Sequence, residues 1–406
     1  MYTLAPDTYS SIVQLLPIDS INNLRVTASS NFQQLSTLRN SNNFWKLRLE
    51  KLLDIQITLN PTPQTWHQVY TKITTGDLDL SQKLNKFARL GNFPVVQLLI
   101  QAGAEVTTNN NFAIREASEF GYADVVQLLL NTGADATANN NQALRQSSRN
   151  GHSQVVQLLL EAGADVTTGN NLALREASRN GYFQVVQLLL EAGADVTTGN
   201  NSALRWASAA GHFQVVQLLL EAGADVTSNN NEALRDASRN GYSEVVRLLI
   251  ATDADVTANN NFAIRYASSN GHFQVVQLLI EAGADVTTKN NLALREASRK
   301  GYSRVVQLLL EAGADATAQK NEAIWEASHN GHLQVVQLLI DAGADVTANN
   351  NFAILYASSN GYFQIVELLI KAGADVTADN NKVIRAASMN GHVQVVKLLR
   401  DAGATV

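Results

Sequence analysis

Residues 81–406 repeat themselves every 30 residues without one insertion or deletion. Eleven copies start at residues 81, 111, 141, 171, 201, 231, 261, 291, 321, 351 and 381, and the last is partial. A fixed period of this size specifies a solenoid, because each copy is one small unit that buries its apolar face only against its neighbours. Such an array offers a long continuous surface and no enclosed pocket. It suits a protein that holds other proteins better than one that encloses a small substrate.

The repeat at 171–200 reads NLALREASRNGYFQVVQLLLEAGADVTTGN. Positions 2–10 predict a first helix, with the Asn at position 1 placed to cap it. Gly at position 11, present in every copy, ends that helix through the left-handed conformation glycine adopts freely. The second helix, FQVVQLLLEA, ends at Gly193, and ADVTTGNN is expected to be a loop to the next copy. Positions 15, 16, 18, 19 and 20 are aliphatic apart from Arg400 in the last copy and are expected to be core, while the Gln and Glu residues of positions 14, 17 and 21 form a solvated stripe. Pro94 falls in the first turn of a second helix, where proline is tolerated.

This helix–loop–helix unit with GHxxVVxLLLxxGADV resembles the ankyrin repeat. The units here are three residues shorter than the usual 33, and the TPLH box is replaced by x-Ala-Leu/Ile-Arg, as at Ala173-Leu174-Arg175. The resemblance implies a helical solenoid whose first helices line a concave, partner-binding surface.

Composition changes at the start of the array. Pro6, Pro17, Pro61 and Pro63 precede it, and every glycine except Gly76 lies within it. Residues 1–72 therefore read as a separate small helical domain and 73–80 as a connector. The apolar positions of this segment, among them Ile12, Leu15, Leu16, Ile21, Leu24, Val26, Phe32 and Trp45, are too many for so small a domain to hide alone. It is expected at least to cap the open end of the solenoid. Leu4, Pro6, Ile12, Leu16-Pro17, Ile21, Leu24-Arg25-Val26, Phe32 and Phe44-Trp45-Lys46 also resemble an F-box, and Trp66 and Tyr70 resemble the helix that often follows one. That resemblance implies docking on the Skp-type linker subunit of a cullin–RING ubiquitin ligase, with Leu4, Pro6, Ile12, Leu16 and Pro17 as the contact set. Proteins combining the two modules resemble effectors of intracellular bacteria and large DNA viruses as well as host proteins.

Candidate substrate anchors come from the positions that vary between copies. Positions 2, 6 and 9 of the first helix share one face. They carry Trp206, Phe262, Tyr266, Phe352 and Tyr356, and acids such as Glu322 and Glu326. Position 5 is Arg in eight copies and reads as a structural ladder, pairing with carboxylates or loop carbonyls. Beyond Asn85 in the first copy it lapses only at Trp325 and Leu355, beside Phe352 and Tyr356, which gives the largest apolar patch predicted on the concave face. Its aromatic centre and acidic rim are those of an interface. The alternative is that each large side chain merely packs on its neighbour. Position 12 alternates Tyr and His from Tyr122 to His392, with the histidines too far apart to share a metal, and these rings are expected to pack at the inter-helix turn.

Net charge is −6, and residues 1–80 are balanced, so the array carries the whole imbalance. Without a basic stripe, nucleic acid and anionic membrane are poor partners. The chain has no cysteine, no phosphate-binding glycine loop and no HExxH, so cofactor, metal and catalytic chemistry are not expected. The expected fold is all-α, and the expected protein is a cytoplasmic or nuclear monomer before partner binding. Its function is expected to be substrate recruitment to a ubiquitin ligase or, alternatively, sequestration of a protein partner without ubiquitin.

Overall fold

The computed structural model describes residues 79–405; the F-box-like segment, including Leu4, Pro6, Ile12, Leu16 and Pro17, lies outside them. The described residues form 22 helices in alternating pairs and no strand. They divide into two compact bodies. One holds the described residues up to Ala177 together with Gln187–Ala194, the other Ser178–Val186 and the residues from Asp195 onward. Within each body, successive first helices pack closely on one another, while second helices approach their neighbours less. The opening helix, Leu80–Arg89, starts inside the expected connector because Asp79 and Gln82 make a reciprocal capping box.

The stretch expected to be a loop and a simple N-cap is a more specific device. In repeat 2, Asn109, Asn110 and Asn111 all lie in the left-handed region, at φ 54°, 61° and 57°, before the right-handed helix begins. Later repeats do the same at the equivalent three residues. Asparagine tolerates this region better than other non-glycine residues, which accounts for the NNN runs. The Asn at position 1 is therefore not an N-cap. Its Oδ1 accepts the backbone N–H of position 25 in the same repeat, as from Asp135 to Asn111 and from Asp255 to Asn231, both at 2.8 Å. These asparagines are buried, so the bond ties the start of one helix to the end of the other inside the unit.

The same Asp holds the turn. Asp165 Oδ1 accepts both the N–H of Thr167 at 2.8 Å and its hydroxyl at 2.7 Å. Thr167 thereby holds the Asp165 carboxyl below its ordinary pKa, and the threonine at the equivalent position does so for Asp195, Asp285, Asp345 and Asp375. A depressed folded-state pKa means that the unfolded chain binds protons first. The turns should therefore contribute fully above about pH 4 and lose that contribution as pH falls through the folded-state pKa values. Thermal unfolding followed between pH 6 and pH 2 (roughly the window spanning these carboxylates) checks this.

In the second helices Val125, Val126 and Leu129 and their equivalents are buried, except Val396 in the last repeat, which is half-buried. In repeats 2–10 positions 18 and 20, expected to be core, are only half-buried, as at Leu128 and Leu130, because they flank a helix row that is less tightly packed. Glycines with positive φ recur at positions 11 and 23 of the repeat. At position 11 the ring of the next repeat sits directly over the backbone: a Cβ on Gly211 would lie 2.5 Å from Tyr242, and one on Gly241 would lie 2.5 Å from His272. The second glycine, at position 23, has open space around it.

Asp253 replaces that second glycine in repeat 6 and is held at φ 67°. Its side chain is exposed, and among the described residues only its backbone N–H is bonded, to the carbonyl of Ile250. Asp253→Gly should therefore stabilise the array locally by about 1 kcal/mol, read as slower amide exchange in repeats 6 and 7. Unchanged exchange there would mean that Asp253 carries no backbone strain.

Candidate protein-binding face

The first helix buries positions 3, 4, 7 and 8, as at Ala113, Ile114, Ala117 and Ser118. Positions 2, 5 and 6 then fall on the opposite side and are half-buried, and position 9 lies at the edge. Within a body, side chains on this face reach the adjacent repeat, as Arg205 reaches Glu232 and Trp325 reaches Tyr356. Trp206, Phe262, Tyr266, Glu322, Trp325, Glu326, Phe352, Leu355 and Tyr356 all lie on it, within one body, and all are half-buried.

The arginine ladder caps the left-handed turn. Arg115 Nε donates to the carbonyl of Asn110 and Nη2 to that of Asn109, each at 3.1 Å, while Nη1 reaches Gln142 of the next repeat at 2.6 Å. Arg265 bonds the Asn260 carbonyl at 3.0 Å. Arg205 pairs with Glu232 of the following repeat at 3.1 Å, and Arg295 pairs with Glu322. Loop carbonyls left outward by the turn, and acids one repeat on, thus hold the guanidinium in place.

Guanidiniums of this ladder and of position 9 also cover the aromatic residues. Arg179 and Arg205 lie 5.7 and 5.9 Å from the Trp206 ring. Phe262 and Tyr266 stack at 3.9 Å between centroids; Arg235 sits 5.1 Å from the first ring, Arg239 sits 4.8 Å from the second, and Arg265 sits 5.9 Å from both. Burial, with Glu232 beside it, pushes the Asp236 carboxyl on this face above its ordinary pKa.

Repeats 9 and 10 differ. Trp325 and Tyr356 lie 5.8 Å apart, and Phe352 meets Tyr356 edge-on at 5.6 Å. His329 makes a third contact with Tyr356, edge-on at 5.0 Å. Among the described residues no guanidinium or ammonium group covers these rings. Glu326 sits beside them and is raised above its ordinary pKa, chiefly by burial. Its carboxylate accepts only a long bond, 3.4 Å, from Asn330. Of the anchors predicted around one patch, Trp325 and Phe352 thus both meet Tyr356. Phe262 and Tyr266 form a separate pair roofed by arginine, with Arg239 at position 9 of one repeat leaning over Tyr266 at position 6 of the next.

The position-12 histidines lie at the turns as expected. His212 Nε2–H donates to the Arg179 carbonyl at 3.0 Å and His272 Nε2–H to that of Arg239 at 2.9 Å, fixing the tautomer, since a carbonyl can only accept. Among the described residues no three His, Asp or Glu side chains converge as metal ligands, and no helix is long and apolar enough to cross a membrane. On the second-helix side, the supposed solvated stripe forms an open groove across repeats 8–10, lined by Gln307, Gln337 and Gln364 with Arg304 and Lys371.

The family model described as ankyrin repeats (three copies) matches residues 84–170, 174–260, 234–320 and 323–406. None of the curated proteins matches the chain.

Proposed function

Because the chain belongs to the ankyrin-repeat family, whose members bind protein partners, we propose that it recruits a protein through the first-helix face of repeats 9 and 10. The observation carrying this reading is the convergence of Trp325, Phe352 and Tyr356 on a face otherwise filled by ion pairs and arginine-capped rings. An apolar aromatic centre with Glu322 and Glu326 beside it is the composition of an interface hot spot.

The finer reading is that the recruited protein is a substrate of a cullin–RING ubiquitin ligase. The F-box-like residues Leu4, Pro6, Ile12, Leu16 and Pro17 support it from the sequence alone, since their pattern resembles the motif that docks a linker subunit. Sequestration without ubiquitin is the alternative, with residues 1–72 serving only as a cap.

One experiment with two arms separates the parts. The full chain is used to capture partners from a cell extract and, separately, to bind a purified Skp-type subunit. Trp325→Ala and Tyr356→Ala should each weaken capture of the recruited protein by about 2 kcal/mol or more. Leu16→Arg with Pro17→Ala should abolish linker binding by placing a charge in an apolar contact, and leave capture unchanged. Wild-type chain that fails to bind the linker would favour sequestration. Collapse of thermal stability in Trp325→Ala would show a packing role for that ring and remove it from the interface.

A further inference from the structure

Two first helices of this array are nearly the same sequence in different settings. Residues 261–271 read NFAIRYASSNG and residues 351–361 read NFAILYASSNG. In the earlier copy Phe262 and Tyr266 stack flat, under the guanidiniums of Arg235, Arg239 and Arg265. The three equivalent positions around Phe352 and Tyr356 are Trp325, His329 and Leu355. All three cations are gone, two of them replaced by further rings. Phe352 and Tyr356 open from a stack with a 22° interplanar angle to an edge-on pair at 77°.

We propose that the cluster of Trp325, Phe352 and Tyr356 receives a guanidinium from outside, an arginine side chain of the recruited protein, in the place the array's own arginines fill three repeats earlier. Arginine is the fitting cation because its flat guanidinium stacks on ring faces and offers a fork of donors to carboxylates, which a lysine ammonium does not. The acceptor is at hand. Glu326 lies on the same face, one repeat before Tyr356, and among the described residues its carboxylate has only the long Asn330 bond. Burial disfavours its charge and Arg299 offsets that only in part, so an incoming guanidinium would add a second cation and a fork of donors. The array's acidic balance, 30 acids against 24 basic residues beyond residue 80, favours the approach of a basic segment.

The inference rests on repeats 9 and 10 being the recruiting face, and its test is separable from that reading. The probe is the blocked peptide acetyl-Gly-Gly-Arg-Gly-Gly-amide, with lysine and citrulline counterparts, titrated against the full chain while the Trp325 indole N–H signal is followed by NMR. The arginine peptide should give a saturable shift, the lysine peptide a weaker affinity, and the uncharged citrulline peptide none. Leu355→Arg recreates the 261–271 sequence, so it should fold and fill the site from within, weakening the arginine peptide about tenfold. Tyr356→Leu, which keeps apolar bulk but removes a ring face, should weaken it similarly. No saturable shift, an equal response to citrulline or lysine, or unchanged binding by both variants would overturn the proposal. If Trp325→Ala lost the captured protein while the arginine peptide left Trp325 unmoved, the recruiting face would stand and the guanidinium would fall.

Discussion

Replacing Gly241 by alanine is expected to destabilise the array by about 3 kcal/mol, although the change adds one methyl group. Two costs combine. At φ +84° an L-residue pays about 1 kcal/mol of backbone strain. The new Cβ would also lie 2.5 Å from Nδ1 of His272. That ring cannot withdraw freely, because its Nε2–H is bonded to the Arg239 carbonyl at 2.9 Å. Displacing a packed group of this kind costs a further 1–3 kcal/mol or so. Gly223 is the control. Its φ is +92°, but a Cβ there meets nothing within 4 Å, so Gly223→Ala should cost only the backbone part, about 1 kcal/mol. Urea unfolding of both variants, with amide exchange to locate the weakened repeats, measures the difference. Equal losses would mean that the ring stack over position 11 contributes nothing.

Asn231→Ala should have a comparable effect for a different reason. Asn231 is buried, sits at φ 58°, and its Oδ1 accepts the N–H of Asp255 at 2.8 Å. Alanine would meet the left-handed backbone at about 1 kcal/mol. It would also leave a half-buried N–H without its partner, at roughly 1–3 kcal/mol. Asn230, one residue earlier, has nearly the same φ of 57° but is exposed, so Asn230→Ala should pay the backbone cost alone. A loss about 2 kcal/mol larger at Asn231 than at Asn230 is expected from chemical unfolding. Equal losses would show that water serves Asp255 as well as Asn231 does.

These two cases mark how far the sequence can be read. The period, the paired helices and the left-handed glycines were legible, because a residue recurring at one register position reports a backbone requirement. The ring stacking at position 12 was legible for the same reason. The left-handed asparagine turn was not. Its residues are also ordinary loop and cap residues, and only the backbone shows three consecutive positive φ values. The arginine ladder was visible as a pattern, but its partners are carbonyls that the hidden turn exposes. At the candidate face, the meeting of Trp325, Phe352 and Tyr356 followed from adjacent repeats sharing a register. The arginine roof over Phe262 and Tyr266 did not, because cover depends on how side chains lean from one helix to the next.

Hydrogen–deuterium exchange of the full chain, with and without a captured protein partner, tests the central claim most directly. Binding through the first-helix face predicts slowed exchange in Ala318–His329 and Ala348–Ser359, with little change in the second helices Leu333–Asp341 and Phe363–Lys371. Protection confined to those second helices, along the glutamine-lined groove, would contradict it.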